Sequence, residues 1–180
     1  QQKLRSGLAR PLILNLAKTA NQNRLAVLIN KKEIHEVIDD YQEQLRELFQ
    51  IQNPKLVYSK NFDSEFKKHL QKLQQRALLW QQGRWVYYPW RAALVHVLPD
   101  KEFQLVRTAR NKNLITAKEQ ERFYNATVGI AGLSVGNSVA LAIVLQGGAK
   151  RIRLADHDRL ALSNLNRIRV GVESLGLPKV

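Results

Sequence analysis

Two kinds of hydrophobic patterning divide the chain. In the first part short apolar runs alternate with helix-period stripes. Pro11–Leu16 is a brief apolar run that fits a buried strand, and the run Leu25–Ile29 fits either strand or helix. Tyr41, Leu45, Leu48 and Phe49 recur at the i, i+4, i+7, i+8 spacing of one helix face, so Asp39–Gln50 predicts an amphipathic helix ended by Asn53-Pro54. A longer stripe of Phe66, Leu70, Leu73, Ala77 and Trp80 predicts a helix capped by Asp63 and running to about Gln82. Gly83 then opens a β region, with strands over Arg84–Tyr88 and Trp90–Leu98, a turn at Pro99-Asp100 and a partner strand over Phe103–Thr108.

The grammar changes after about Asn125. Thr116 and Glu119 have capping-box spacing, which starts a short helix reaching about Asn125. Thr127–Ala131 then reads as an apolar strand of the kind buried in a parallel sheet. Gly132–Gly136 is a small-residue turn, and Asn137–Gln146 is an apolar helix closed by Gly147-Gly148. Arg151–Ala155 is a second strand that delivers Asp156 at its end. Strand, glycine turn, helix, strand and acid make a βαβ unit. The expected fold class is α/β: a smaller α+β region over residues 1–112, then the start of a Rossmann-like, doubly wound sheet over residues 113–180. The junction falls between about Arg110 and Ala126.

Composition narrows this picture modestly. A hydrophobic content of 44% over 180 residues suits a folded chain. No apolar run approaches the roughly 20 residues that cross a bilayer, and polar, basic Gln1–Arg10 lacks the apolar core of a leader. Cysteine is absent, which removes disulfides and thiolate metal sites and fits a cytoplasmic setting. Methionine is absent even at position 1, and Val180 falls where the pattern expects the middle of an element, so the chain is read as a fragment. The net charge of +14 raises the question of nucleic acid. Its basic residues are spread along the chain and interleaved with acids, which fits a solvated face or an acidic protein partner better than a nucleic-acid groove.

The glycine turn carries the first candidate chemistry. A strand-to-helix turn that brings phosphates onto helix N–H groups needs small residues and benefits from the helix dipole. Gly132 occupies the first glycine position and Gly136 closes the loop, but Ser134 stands at the second position, and by itself such a loop also serves as a plain tight turn. Asp156 lies 24 residues after Gly132, near the spacing of an acid that hydrogen-bonds a ribose hydroxyl; otherwise it is an ordinary strand-end acid.

The segment that follows is the most specific in the chain. LADHDRLALSNLNR, from Leu154 to Arg167, resembles the signature L-x-D-x-D-x-(V/L)-x-x-S-N-L-x-R of ThiF/MoeB-type (ubiquitin-activating-enzyme-like) adenylyltransferases. Asp156, Asp158, Ser163, Asn164, Leu165 and Arg167 fall in register. Gly176-Leu177-Pro178-Lys179 resembles the family's G-x-x-K element, one residue closer to the arginine than expected, and the stretch before Val128 has its Q-E-x-x-x-N-x-x-V shape. The resemblance covers about residues 110–180. The loop G-L-S-V-G-N departs from the glycine-richer G-x-G-G-L-G of most members. A divergent branch pairs this loop with an extra N-terminal region and, in longer members, a nitroreductase-like domain. Residues 1–110, including WVYYPWR at Trp85–Arg91, resemble that branch.

The resemblance implies ATP with magnesium as ligand, and a ubiquitin-like or sulfur-carrier protein whose C-terminal carboxylate becomes an acyl-adenylate. Asp156 would bind the ribose. Asn164, Arg167 and Lys179 would hold the triphosphate, with Arg110 as a further phosphate-directed arginine, in some members donated by the other subunit of a homodimer. A magnesium-binding aspartate, zinc-binding cysteines and any catalytic cysteine would lie after Val180, so the fragment alone is expected to be inactive. Asn164, Arg167 and Lys179 are 8, 11 and 23 positions beyond Asp156, so the chain must loop back to gather them, and the Arg167 guanidinium is expected to face the Gly132–Gly136 loop. Two other readings stay open: an NAD(P)- or FAD-binding Rossmann domain, and a catalytically silent module on the same scaffold. Ser163–Arg167 favours adenylation over the dinucleotide, which has no need of cations beyond its acid. Arg167 and Lys179 as plain surface charge is the bland alternative. The aromatics Trp80, Trp85, Tyr87, Tyr88 and Trp90 either stack bases or, as preferred here, pack against the Phe66–Trp80 stripe. His35, His69, His96 and His157 lack metal-ligand spacing and receive no chemistry.

Overall fold

A computed structural model describes residues 10–180. The leader-free reading of Gln1–Arg10 therefore falls, apart from Arg10, outside the described residues. The chain is mixed α/β and separates into compact units over residues 10–106 and 107–180. Among the described residues no helix is long and apolar enough to cross a membrane.

The first unit is built on a four-stranded sheet in the order β1-β3-β4-β2. β1 (Leu12–Leu14) runs antiparallel to β3 (Arg84–Tyr88), β3 antiparallel to β4 (Ala93–Val97), and β2 (Glu36–Asp39) parallel to β4. The ambiguous run Leu25–Ile29 is helical, inside α1 (Thr19–Asn30). Its Leu28 joins Leu14, Leu16, Trp85, Tyr87 and Leu94 in one apolar cluster. The predicted face of α2 (Tyr41–Gln52) is buried as a set: Tyr41, Leu45, Leu48 and Phe49 pack with Phe62 and Phe66 of α3 (Phe62–Arg76) and with Leu98. Gln44 docks α2 on the sheet, donating to the His96 carbonyl at 2.8 Å and accepting from the Leu98 amide at 3.1 Å.

Buried His96 lies between two aromatic rings, stacked on Tyr41 at 4.0 Å and on Trp85 at 4.3 Å. Its Nδ1 meets Asp39 Oδ1 at 2.8 Å, and its Nε2 meets the Gln82 carbonyl at 2.9 Å. With both nitrogens engaged the histidine is a structural post. Burial, with a smaller contribution from the Glu102 carboxylate and against the opposing charge of Arg84, pushes the Tyr41 hydroxyl up to about 12.

Several elements differ from those the sequence pattern predicts. α3 begins after Asn61, with Asp63 in its first turn and paired to Arg46 at 2.5 Å rather than serving as the cap. It ends at Arg76, because Ala77 is fully extended and the Gln82 side-chain amide takes the Leu73 and Ala77 carbonyls. Trp80 thus leaves the stripe for a short 3-10 turn and is half exposed, as is Trp90. Trp85 and Tyr87 are buried, but against the α1 cluster and not the α3 stripe. The second strand starts at Ala93, since residues 89–92 close the hairpin with Ala92 at φ 50°. The strand expected over Phe103–Thr108 is helix α4 (Asp100–Arg107). Acids in its first turn and a base in its last suit a helix dipole, and Val106 packs on the α2–α3 cluster.

In the second unit Thr116 and Glu119 form the expected capping box of α5 (Ala117–Asn125). β5 (Thr127–Ala131) and β6 (Arg151–Ala155) pair in parallel, Thr127 opposite Arg151 and Ala131 opposite Ala155, and α6 (Leu133–Leu145) connects them. β5 is not buried on both faces as expected, because a two-stranded sheet with one crossover helix leaves alternate residues open. The helix starts at Leu133, so Gly132 alone, at φ 81°, makes the turn, and Gly136 lies inside α6. A Cβ on Gly136 would sit 2.7 Å from Ile130 Cγ2, which explains its glycine by close helix–strand packing.

Candidate nucleotide-binding site

Both ends of α6 are tied down by groups distant in sequence. At its C-terminus Arg107 donates to the Val144 carbonyl, Asn111 to the Gln146 carbonyl at 3.1 Å, and Gln120 to the Gly147 carbonyl at 3.2 Å. A cation and two amides thus bind carbonyls in and just past the last turn, where the helix dipole favours positive charge. At its N-terminus the Gly132 amide donates to the Ala155 carbonyl at 2.8 Å, joining the glycine turn to the end of β6. The helix is fixed along its axis and its first turn is aimed at the strand ends.

Asp156 takes up one of the exposed first-turn donors. Its Oδ2 accepts from the Leu133 amide at 2.6 Å and its Oδ1 from the Asp158 amide at 2.8 Å. Those amides, Asp158 first and Leu133 second, hold its carboxyl below the usual carboxylate range, with Lys179 and His157 adding to the effect. Each oxygen keeps a second lone pair for a further donor such as a ribose hydroxyl. The amides of Ser134 and Val135 lie in the same first turn, where no intrahelical acceptor exists.

Arg167 is brought to this turn. Its Nε donates to Ser134 Oγ at 2.6 Å, across 33 residues of sequence, and its Nη1 donates to Asn166 Oδ1 at 2.7 Å and the Ser163 carbonyl at 3.3 Å. Among the described residues none accepts from Nη2, which is left for an outside acceptor. Residues 157–180 fold back to make this possible. Leu160 and Gly176 exchange backbone bonds with the opposite limb, and Arg159 pairs with Pro178. The same fold-back sets Lys179 Nζ 2.8 Å from Asp158 Oδ2, with the lysine side chain only 5% exposed.

The remaining candidates sit elsewhere. Asn164 is buried and its Oδ1 accepts from the Ala161 amide at 3.1 Å, so it holds the local turn instead of facing the loop. Arg110 is exposed in the 3-10 turn Ala109–Asn113 and is not bonded to the loop. His157 is almost fully exposed beside Asp158. The polar atoms of Asp156, His157 and Asp158 lie within 4.8 Å of one another, but Lys179 and two amides already engage the carboxylates. Sequence reasoning missed the Arg107–Asn111–Gln120 clamp and the Ser134–Arg167 bond. Single polar residues 26 to 37 positions from their partners leave no local signal.

No family model matches the chain and no solved structure matches it. Over 102 residues it is 46% identical to MT1398, an uncharacterized protein of Mycobacterium tuberculosis (strain CDC 1551 / Oshkosh). That stretch is 57% of this chain and 14% of the mycobacterial protein.

Proposed function

We propose that residues 107–180 belong to the ATP-binding half of a ThiF/MoeB-type adenylyltransferase, in which the βαβ unit continues into a Rossmann-like sheet. The observation that carries the reading is Arg167, held 2.6 Å from Ser134 at the N-terminus of α6, beside Asp156. In this reading the substrates are magnesium-bound ATP and the C-terminal carboxylate of a ubiquitin-like or sulfur-carrier protein. A carboxylate oxygen bonds to the α-phosphorus as the bond to pyrophosphate breaks, giving acyl-adenylate and free pyrophosphate. Asp156 receives a ribose hydroxyl. The Ser134 and Val135 amides and Arg167 Nη2 meet phosphate oxygens. Lys179 offers its charge once a phosphate competes with Asp158 for it. Fixed donors of this kind stabilise the negative charge that builds as one anion approaches another.

Arg110, exposed and away from the loop, is proposed as the arginine that a homodimer partner or a moving segment supplies. The setting is cytoplasmic. An NAD(P)- or FAD-binding domain is disfavoured, because two phosphates resting on the helix end have little use for a clamped guanidinium beyond it.

The test is carboxylate-dependent exchange of pyrophosphate into ATP by the full-length protein. Arg167→Ala should lower exchange by roughly 10²-fold with the circular dichroism spectrum unchanged. Wild-type exchange in that variant would remove Arg167 from the site. A full-length protein that binds ATP but never exchanges would instead favour a silent module.

A further inference from the structure

We infer that Ser134, at the position where a dinucleotide loop has its second glycine, is the positioning residue that registers Arg167 with the phosphate-binding end of α6. This inference rests on the ATP reading above. Among the described residues the guanidinium has three acceptors, and they are not equivalent. Ser163 and Asn166 lie four and one residues from Arg167, so they fix the guanidinium only to its own turn. Ser134 is the acceptor on α6, and it takes the Nε–H at the shortest distance of the three, 2.6 Å. Without that hydroxyl the guanidinium keeps its local bonds and loses its register with the first-turn amides.

Position in the helix explains why a serine serves. Ser134 is the second residue of α6, and side chains in a helix lean back toward its N-terminus. Its hydroxyl therefore sits on the side from which a phosphate approaches. A glycine at this place would let a pyrophosphate lie directly against the backbone, as in the dinucleotide loop. The serine hydroxyl instead hands that approach to a cation whose Nη1 and Nε are already engaged, leaving Nη2 for the ligand. The expected ligand is one that extends charge past the helix end, a nucleoside triphosphate and not a monophosphate.

Isothermal calorimetry on the full-length protein tests this with magnesium-ATP and with AMP. Ser134→Ala should weaken ATP binding roughly tenfold, the scale of one lost charged hydrogen bond, and leave AMP binding unchanged. Ser134→Thr keeps the hydroxyl and should restore ATP binding. In an Arg167→Ala background Ser134→Ala should cost nothing more, which a merely structural serine would not show. Wild-type ATP affinity in Ser134→Ala, or losses that add between Ser134→Ala and Arg167→Ala, would overturn the positioning role while ATP binding stands. Failure of the unaltered protein to bind ATP at all would overturn the inference together with the adenylation reading.

Discussion

Replacing Tyr41 by Phe should remove one identifiable step from the alkaline unfolding of the first unit. Tyr41 is 4% exposed and stacked on His96, and its hydroxyl titrates at about 12 in place of the usual 10 because burial, then Glu102, disfavours the phenolate. A group whose folded pKa is raised contributes stability that is whole below its unfolded pKa and is lost as pH climbs through the folded one. The window here is therefore about pH 10 to 12. A displacement of about two units at roughly 1.4 kcal/mol each gives about 2–3 kcal/mol at the upper end. The assay is urea unfolding of wild type and Tyr41→Phe at half-unit steps from pH 8.5 to 12.5, with phenolate absorbance followed in parallel. Every other side chain is common to both proteins, so the difference between the two curves isolates Tyr41. Wild type should lose about 2–3 kcal/mol more than the variant. Parallel curves would refute the buried, stacked placement of this ring.

Gly132→Ala probes the turn before α6. Its φ of 81° disfavours a side chain while the space around it is open, so the cost is conformational alone: about 1–2 kcal/mol by thermal or urea unfolding; an unchanged midpoint would contradict the left-handed turn. Asp156→Asn probes the cap on Leu133. Because the Asp158 and Leu133 amides depress the Asp156 carboxyl, its contribution is present above the ordinary carboxylate pKa and fades as pH falls through the lower folded value. Acid unfolding of wild type should therefore converge on that of Asp156→Asn below pH 4, and a constant gap down to pH 2 would argue against the bonded carboxylate.

Local patterns carried much of the fold and distant pairings did not. Tyr41, Leu45, Leu48 and Phe49 announced α2 because one buried face repeats at helical spacing, and Thr116 with Glu119 announced α5 because a capping box lies within four residues. Phe103–Thr108 misled because a few apolar residues without clear period suit strand or helix, and the end charges decided for α4. The stripe through Trp80 misled because helical spacing continues past a real stop that Gln82 imposes from the far side. At the site, Gly132 and Asp156 were legible from the strand–turn–helix–strand order. Arg167 was legible from its motif, but its partner Ser134 was not, because nothing in a helix's first turn reveals which cation a hydroxyl will meet. Asn164 differs again: it lies in the same sequence segment, but the local turn uses its side chain.

A loop made for a triphosphate should prefer ATP to any dinucleotide. Calorimetry on the full-length protein, comparing magnesium-ATP with NAD, NADP and FAD under one buffer, tests it most directly. ATP should bind most tightly, and Arg167→Ala should erase that preference. Tighter binding of any dinucleotide, or an ATP preference that survives the loss of Arg167, would contradict the account.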